Sequence, residues 1–265
     1  MESVFASRDA ASFAELQAQA AQVTLDFDAY IQYLQTSLAV EELPRAVVFT
    51  TADIATHSVS DLPLPAYTND YRIVFCPDIS VWRTLLSRQL DDLDISPDKR
   101  AEIEEYYRME YGIAHVRQIL GHELVHQSAY FPGDFDDDAD AGCLWFEEGM
   151  AEYISRRYFL SPDEYTRAAE IGSTFIALRD NDRIAPSLEN FTYGTYADAS
   201  IGRIFYWYWR SFFAVEKIVD RYQGDLCAVF SSLPPGTKRK APRRPAGSGL
   251  RNAVVLCRDY SAASI

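Results

Sequence analysis

Two stretches decide how the rest of the chain is read: His122-Glu123-Leu124-Val125-His126, and downstream of it Leu144-Trp145-Phe146-Glu147-Glu148-Gly149-Met150-Ala151-Glu152-Tyr153. The first lies in the best helical pattern of the sequence. Ser96-Pro97-Asp98 offers a hydroxyl cap, a proline at the first helical position and an acid in the first turn; the pattern continues to about Ala129, with a break expected at Gly112. Residues four apart on a helix differ by about 40° around the axis and about 6 Å along it, so His122 and His126 project from one face and can grip one metal ion. Glu123, offset by about 100° from His122, stays out of the ligand set yet can reach a water beside the ion and take its proton. Neutral imidazoles and carboxylates suit zinc, and hydrolysis needs no redox change, so a single zinc ion is the expected cofactor.

A catalytic zinc site has three protein ligands and one position for water. HELVH supplies two, and Glu148 can be the third. Glu152, one helical turn further on, can accept the outer N–H of a ligating histidine and so fix its tautomer and orientation. The chain has only four histidines, and chance produces an HExxH arrangement at this composition roughly 0.004 times per chain, so the match points to chemistry.

HELVH followed by WFEEGMAEY resembles the gluzincin metallopeptidases, the broad group that includes thermolysin and the aminopeptidase N-like enzymes. The resemblance implies that His122, His126 and Glu148 are zinc ligands and that Glu123 is the general base. Thermolysin-like members place an acid four residues after the ligand glutamate, which here is Glu152. The resemblance also implies the order of elements: strands first, then the motif helix, then the glutamate helix. Related enzymes often stabilise the developing oxyanion with a tyrosine or histidine C-terminal to the glutamate helix. No histidine follows here, which leaves Tyr193 or Tyr196 in FTYGTYADAS; Tyr196, expected to open a helix, is the preferred catalytic donor. Two features depart from the group. Twenty-one residues separate His126 from Glu148, an enlarged connection relative to the aminopeptidase N-like enzymes. The GxMEN element with which those enzymes hold a substrate amino terminus is missing, and Arg108-Met109-Glu110-Tyr111 has neither its pattern nor its position.

The expected function is therefore zinc-dependent hydrolysis of peptide bonds in a peptide or protein substrate. The alternatives are a catalytically inactive zincin-fold binding module and a zinc hydrolase of a non-peptide substrate such as an ester or an epoxide. Seven of the basic residues lie between Lys238 and Arg258, so residues 1–237 carry a net charge of −20 against −14 for the whole chain. Such a surface repels a phosphate backbone, and nucleic acid is not an expected partner. The acidic run Asp134, Asp136, Asp137, Asp138 and Asp140 falls between the two motifs. Read from Asp136 to Glu147 it partly matches a calcium-binding EF-hand loop, but Ala141 stands where the turn needs glycine, and a solvated acidic rim is the preferred reading.

Working outward, the fold class expected is α+β and predominantly helical. A small N-terminal sheet from Arg45–Thr51 and Tyr71–Cys76 precedes the motif helix and the glutamate helix, and a helical C-terminal part follows. Residues 1–40 read as an N-terminal helical segment packed on the body, 41–230 as the zincin-like catalytic domain, and 231–265 as a flexible tail rich in proline and basic residues. Ser161-Pro162-Asp163-Glu164 is a capping box. The aromatics between Tyr196 and Tyr222 are expected to be mainly core. His115 lies two turns from His122, about 10 Å, too far to share an ion, and His57 reads as surface. Cys76, Cys143, Cys227 and Cys257 are scattered without a CxxC pair, which suggests free thiols. No apolar run is long enough to span a bilayer and no secretory leader opens the sequence, so a cytoplasmic location is expected, or a secreted one if a leader has been removed.

Overall fold

The structure, a computed structural model, describes residues 1–59, 62–131, 144–180, 185–192 and 194–232. Strand β1 (Glu2–Ala6) leads through helices α1 (Ala10–Val23) and α2 (Phe27–Ser37) to β2 (Ala46–Thr50). A short α3 (Ala52–Ile54) runs into a π-helical turn (Ala55–Val59) that carries the exposed His57, followed by β3 (Ala66–Thr68) and β4 (Arg72–Phe75). The rest is helical: α4 (Ile79–Ser87), α5 (Pro97–Met109), α6 (Ile113–Val125), α7 (Leu144–Phe159), α8 (Pro162–Asp180), α9 (Gly194–Asp198), α10 (Ile201–Arg221) and α11 (Leu226–Ser232). The chain is thus α+β and predominantly helical, as expected. Among the described residues no helix is long and apolar enough to cross a membrane.

Local chemistry accounts for where these helices start. Asp9 accepts the Ser12 N–H at 2.9 Å and Asp78 the Ser80 N–H at 2.8 Å, each satisfying a donor that the first turn leaves open. At Ser161 the expected box closes in both directions: Glu164 Oε2 accepts the Ser161 N–H at 2.8 Å, and Ser161 Oγ accepts the Glu164 N–H at 3.3 Å. Gly112 breaks the long helical pattern into α5 and α6. The aromatic segment is likewise two helices, because Ser200 caps α10 by accepting the Arg203 N–H at 3.3 Å.

The sheet has the order β1-β2-β4-β3, with β1, β2 and β4 parallel and β3 antiparallel to β4. β2 and β4 are the two strands legible in the sequence. β1 was not expected, and it corrects the purely helical reading of residues 1–40: the chain contributes an edge strand, crosses through α1 and α2, and returns parallel to it. β1 is largely exposed and its apolar run, Val4-Phe5-Ala6, is short, and β3 has only three residues.

α6 lies against β3 and β4 on one side and α1 and α2 on another, while α7 is held between α6 and α10. One apolar core runs through all of them, including Tyr30, Leu34, Phe75, Leu120, Met150 and Trp207. Tyr206, Trp207, Trp209 and Phe212 of α10 are buried in it, as expected, whereas Phe205, Tyr208 and Phe213 are only partly buried. The acidic run from Asp134 to Asp140, Tyr193, Cys143, Cys257 and the basic tail lie outside the described residues, so of the calcium-loop reading from Asp136 to Glu147 only Leu144 to Glu147 is described.

Candidate metal centre

α6 and α7 bring the two motifs together. His126 caps α6 but keeps helical dihedrals, φ −59° and ψ −17°, so the four-residue spacing delivers both imidazoles to one place. Two glycines permit the close packing. A Cβ on Gly121, next to His122, would overlap the rings of Phe159 and Tyr30; one on Gly149, next to Glu148, would overlap the Ser211 carbonyl and Val215. The Tyr30 hydroxyl also donates to the Gly121 carbonyl at 3.1 Å, tying α2 to the motif helix.

Three atoms converge in the gap between α6 and α7. His122 Nε2 and His126 Nε2 are 3.1 Å apart, and Glu148 Oε2 lies 3.1 Å from the former and 3.6 Å from the latter. All three side chains are buried. Each imidazole has its far side turned to a carboxylate: His126 Nδ1 donates to Glu147 Oε1 at 2.8 Å, and Glu152 Oε1 lies 3.1 Å from His122 Nδ1, an ion pair rather than a well-aligned hydrogen bond. With Nδ1 facing an acid, the Nε2 lone pair is the one left for an ion. Glu148 is divided in the same way. Its Oε1 accepts the Tyr196 hydroxyl at 2.8 Å, while its buried Oε2 has no hydrogen-bond donor among the described residues. A buried oxygen left without a donor is costly unless something positive occupies the point it faces. His122, His126 and Glu148 can therefore hold a metal ion.

The electrostatics are those of a dense carboxylate–imidazole cluster. Burial opposes charge on His122, but Glu148 and Glu152 outweigh it and raise the ring to about 9; His126 is raised too, against burial, by Glu148 and Glu147. Burial likewise opposes ionisation of Glu148, yet the two imidazoles hold its carboxyl well below the usual range. Glu152 sits at about 2 because Arg156 and His122 overcome its burial. Glu123 is the exception: burial raises it, with the imidazoles pulling only partly the other way.

Each sequence candidate can now be placed. His122, His126 and Glu148 meet, Glu152 stands behind His122, and Glu123 lines a cleft at the same point. Tyr196 reaches the centre, but its proton is engaged by Glu148, and its oxygen contacts the Tyr208 hydroxyl at 3.0 Å. His115 is indeed apart, hydrogen-bonded at Nε2 to the Tyr106 hydroxyl at 3.2 Å. Sequence reasoning missed four participants. Glu147 backs His126, and its adjacency to Glu148 was the available signal. Arg156 pairs with Glu152 at 2.6 Å, and its position one turn after Glu152 could have been read as a helical ion pair. Gln118 donates to Glu152 Oε2 at 3.4 Å and to Ser155 Oγ at 3.0 Å. Tyr208, whose ring centroid lies 5.9 Å from that of His122, was grouped with the core aromatics.

Comparison with protein-family models, curated proteins and solved structures finds no match to this chain.

Proposed function

We propose that the protein is a zinc-dependent peptidase of gluzincin type. The observation that carries the reading is the triangle of His122 Nε2, His126 Nε2 and Glu148 Oε2, with edges of 3.1, 3.1 and 3.6 Å. Ligand atoms about 2.0–2.1 Å from a tetrahedral ion lie about 3.3 Å from one another, so the donors fit zinc in spacing as well as in kind. A bound zinc ion supplies Lewis-acid charge that makes a neighbouring water acidic near neutrality and polarises a carbonyl.

The chain's own residues do the rest. Glu123 accepts the proton of the attacking water and returns it to the leaving amine; a carboxyl raised by burial is better matched to that task near neutral pH than an exposed one. Glu147 and Glu152 fix the imidazoles, and Arg156 keeps Glu152 ionised and in place. Tyr196 orients Glu148 through the hydrogen bond that it donates to Oε1, and the Tyr208 hydroxyl braces that of Tyr196.

Metal analysis paired with digestion of a diverse peptide library tests the proposal. Stoichiometric zinc is expected in both the wild type and Glu123→Gln, with cleavage by the wild type alone. Zinc without turnover, unchanged by Glu123→Gln, would instead identify a binding module, and turnover of esters or epoxides alone would identify a non-peptide hydrolase.

A further inference from the structure

The two carboxylate oxygens of Glu148 have different neighbours. Oε2 faces His122 Nε2 and His126 Nε2 at 3.1 and 3.6 Å, whereas Oε1 accepts the Tyr196 hydroxyl at 2.8 Å. An ionised carboxylate only accepts, so the proton in that bond is Tyr196's own, and a phenol has a single proton to give. The 3.0 Å contact between the Tyr196 and Tyr208 hydroxyls is therefore Tyr208 donating. A directed chain runs from Tyr208 through Tyr196 to Glu148 Oε1.

Packing fixes where that chain ends. Tyr196 belongs to α9 and Tyr208 to α10, and the fully buried Phe191 sits against both. Its ring centroid is 5.8 Å from that of Tyr196 and 5.9 Å from that of Tyr208, and the same ring stacks on Trp207 at 5.7 Å. Rings seated against one another in this way hold the Tyr196 oxygen beside Glu148.

A carboxylate binds an ion through one oxygen or through both. Binding through both would bring the protein donors to four and fill the position that a catalytic zinc site leaves to water. Oε1 is withdrawn from that role: to take it up, Glu148 would have to break a buried hydrogen bond and leave the Tyr196 hydroxyl without its acceptor.

We propose that Tyr196 is a positioning residue that reserves Glu148 Oε1, so that Glu148 offers the ion Oε2 alone and the protein supplies three donors. The single proton of Tyr196 acts on the metal ligand rather than on the substrate. This inference rests on the metal centre of the reading above and not on a peptide substrate.

The test loads the full chain with zinc alone. Crystal structures of the zinc-loaded wild type and Tyr196→Phe show which Glu148 oxygens touch the ion. The zinc-minus-metal-free infrared difference spectrum reports the same in solution, because the two carboxylate stretches lie further apart for one-oxygen than for two-oxygen binding. Wild type is expected to use Oε2 alone. Tyr196→Phe, which removes only the hydroxyl, should bring Oε1 onto the ion and narrow that splitting. Its zinc affinity, read by competition with a chelating dye, should fall by no more than about 10-fold, the low end for loss of a group behind a ligand. Tyr208→Phe leaves the Tyr196 proton on Oε1 and should keep the wild-type splitting. Both oxygens on zinc in the wild type would overturn the proposal without any variant. So would one-oxygen binding that persists in Tyr196→Phe, or the same narrowing in Tyr208→Phe, which would trace the change to packing rather than to the bond. The outcomes also separate this inference from the reading beneath it: a wild type that binds no zinc removes both, whereas zinc held through both oxygens removes the role of Tyr196 alone.

Discussion

His115 and His122 sit two turns apart on the same helix, both buried, and their environments drive them in opposite directions. Burial and the Arg156 charge push His115 down to about 4, whereas the carboxylates of Glu148 and Glu152 overcome burial and lift His122 to about 9. The difference is one of neighbours. His115 Nδ1 accepts the Gly112 N–H at 3.1 Å, so the ring caps its own helix and places its proton on Nε2, toward Tyr106. It serves as a neutral structural group. His122 faces two acids and another imidazole, an arrangement that stabilises positive charge, whether proton or metal. Burial alone therefore says nothing about which histidine is functional; what surrounds it does.

The comparison can be broken or sharpened at several points. The largest effect is expected at Glu123, adjacent to His122 and the acid that the imidazoles do not hold in a pair. Glu123→Gln should lower turnover by about 10²- to 10⁴-fold while leaving bound metal intact, the usual range for loss of a general base; steady-state kinetics beside metal analysis would check it, and undiminished turnover would end that assignment. Next, His122→Ala or Glu148→Ala should weaken metal binding by more than about 100-fold, beyond what loss of an outer partner does. His115→Ala should leave affinity where it was and act on stability instead, by about 1–3 kcal/mol. Competition with a chelating dye and urea titration separate the two outcomes, and a fall in affinity for His115→Ala would erase the distinction between the two histidines. Glu152→Gln should be milder, about 10- to 100-fold in affinity, measured by the same competition.

The smallest expected effect is the pH dependence of metal-free stability. Between about pH 4 and 6.5 the unfolded chain holds a proton on His115 that the folded chain does not, so stability rises with pH across that window. Between about 6.5 and 9 the folded chain holds a proton on His122 that the unfolded chain has lost, so stability falls as pH rises. Each histidine contributes a slope of at most about 1.4 kcal/mol per pH unit. Urea titrations across pH should show the His115→Ala protein losing the rising limb and the His122→Ala protein keeping a shallower falling one, since His126 is raised as well; a falling limb left unchanged by His122→Ala would mean that His122 does not contribute to it.

Much of the site was legible because it is written locally. HELVH specifies a helical face, Ser161 to Glu164 specifies a helix start, and Val47, Val48, Ile73 and Val74 mark buried strands by their own composition. β1 was hidden because its apolar run, Val4-Phe5-Ala6, is only three residues long and its strand is largely exposed. The Tyr196 contact was not legible: its hydroxyl meets Glu148 across 48 residues of chain, a partner that no local spacing encodes.

The sequence by itself determined which side chains could act together, since 3.6 residues per turn puts His122 and His126 on one face and puts Glu148 and Glu152 on one face whatever the fold around them. The tertiary structure alone decided that those two faces meet and that Glu147 rather than Glu152 backs His126. The physical reason is range: helical periodicity is a property of a few neighbouring bonds, whereas the approach of α6, α7 and α10 depends on side-chain packing distributed over the whole core, down to the missing Cβ atoms of Gly121 and Gly149.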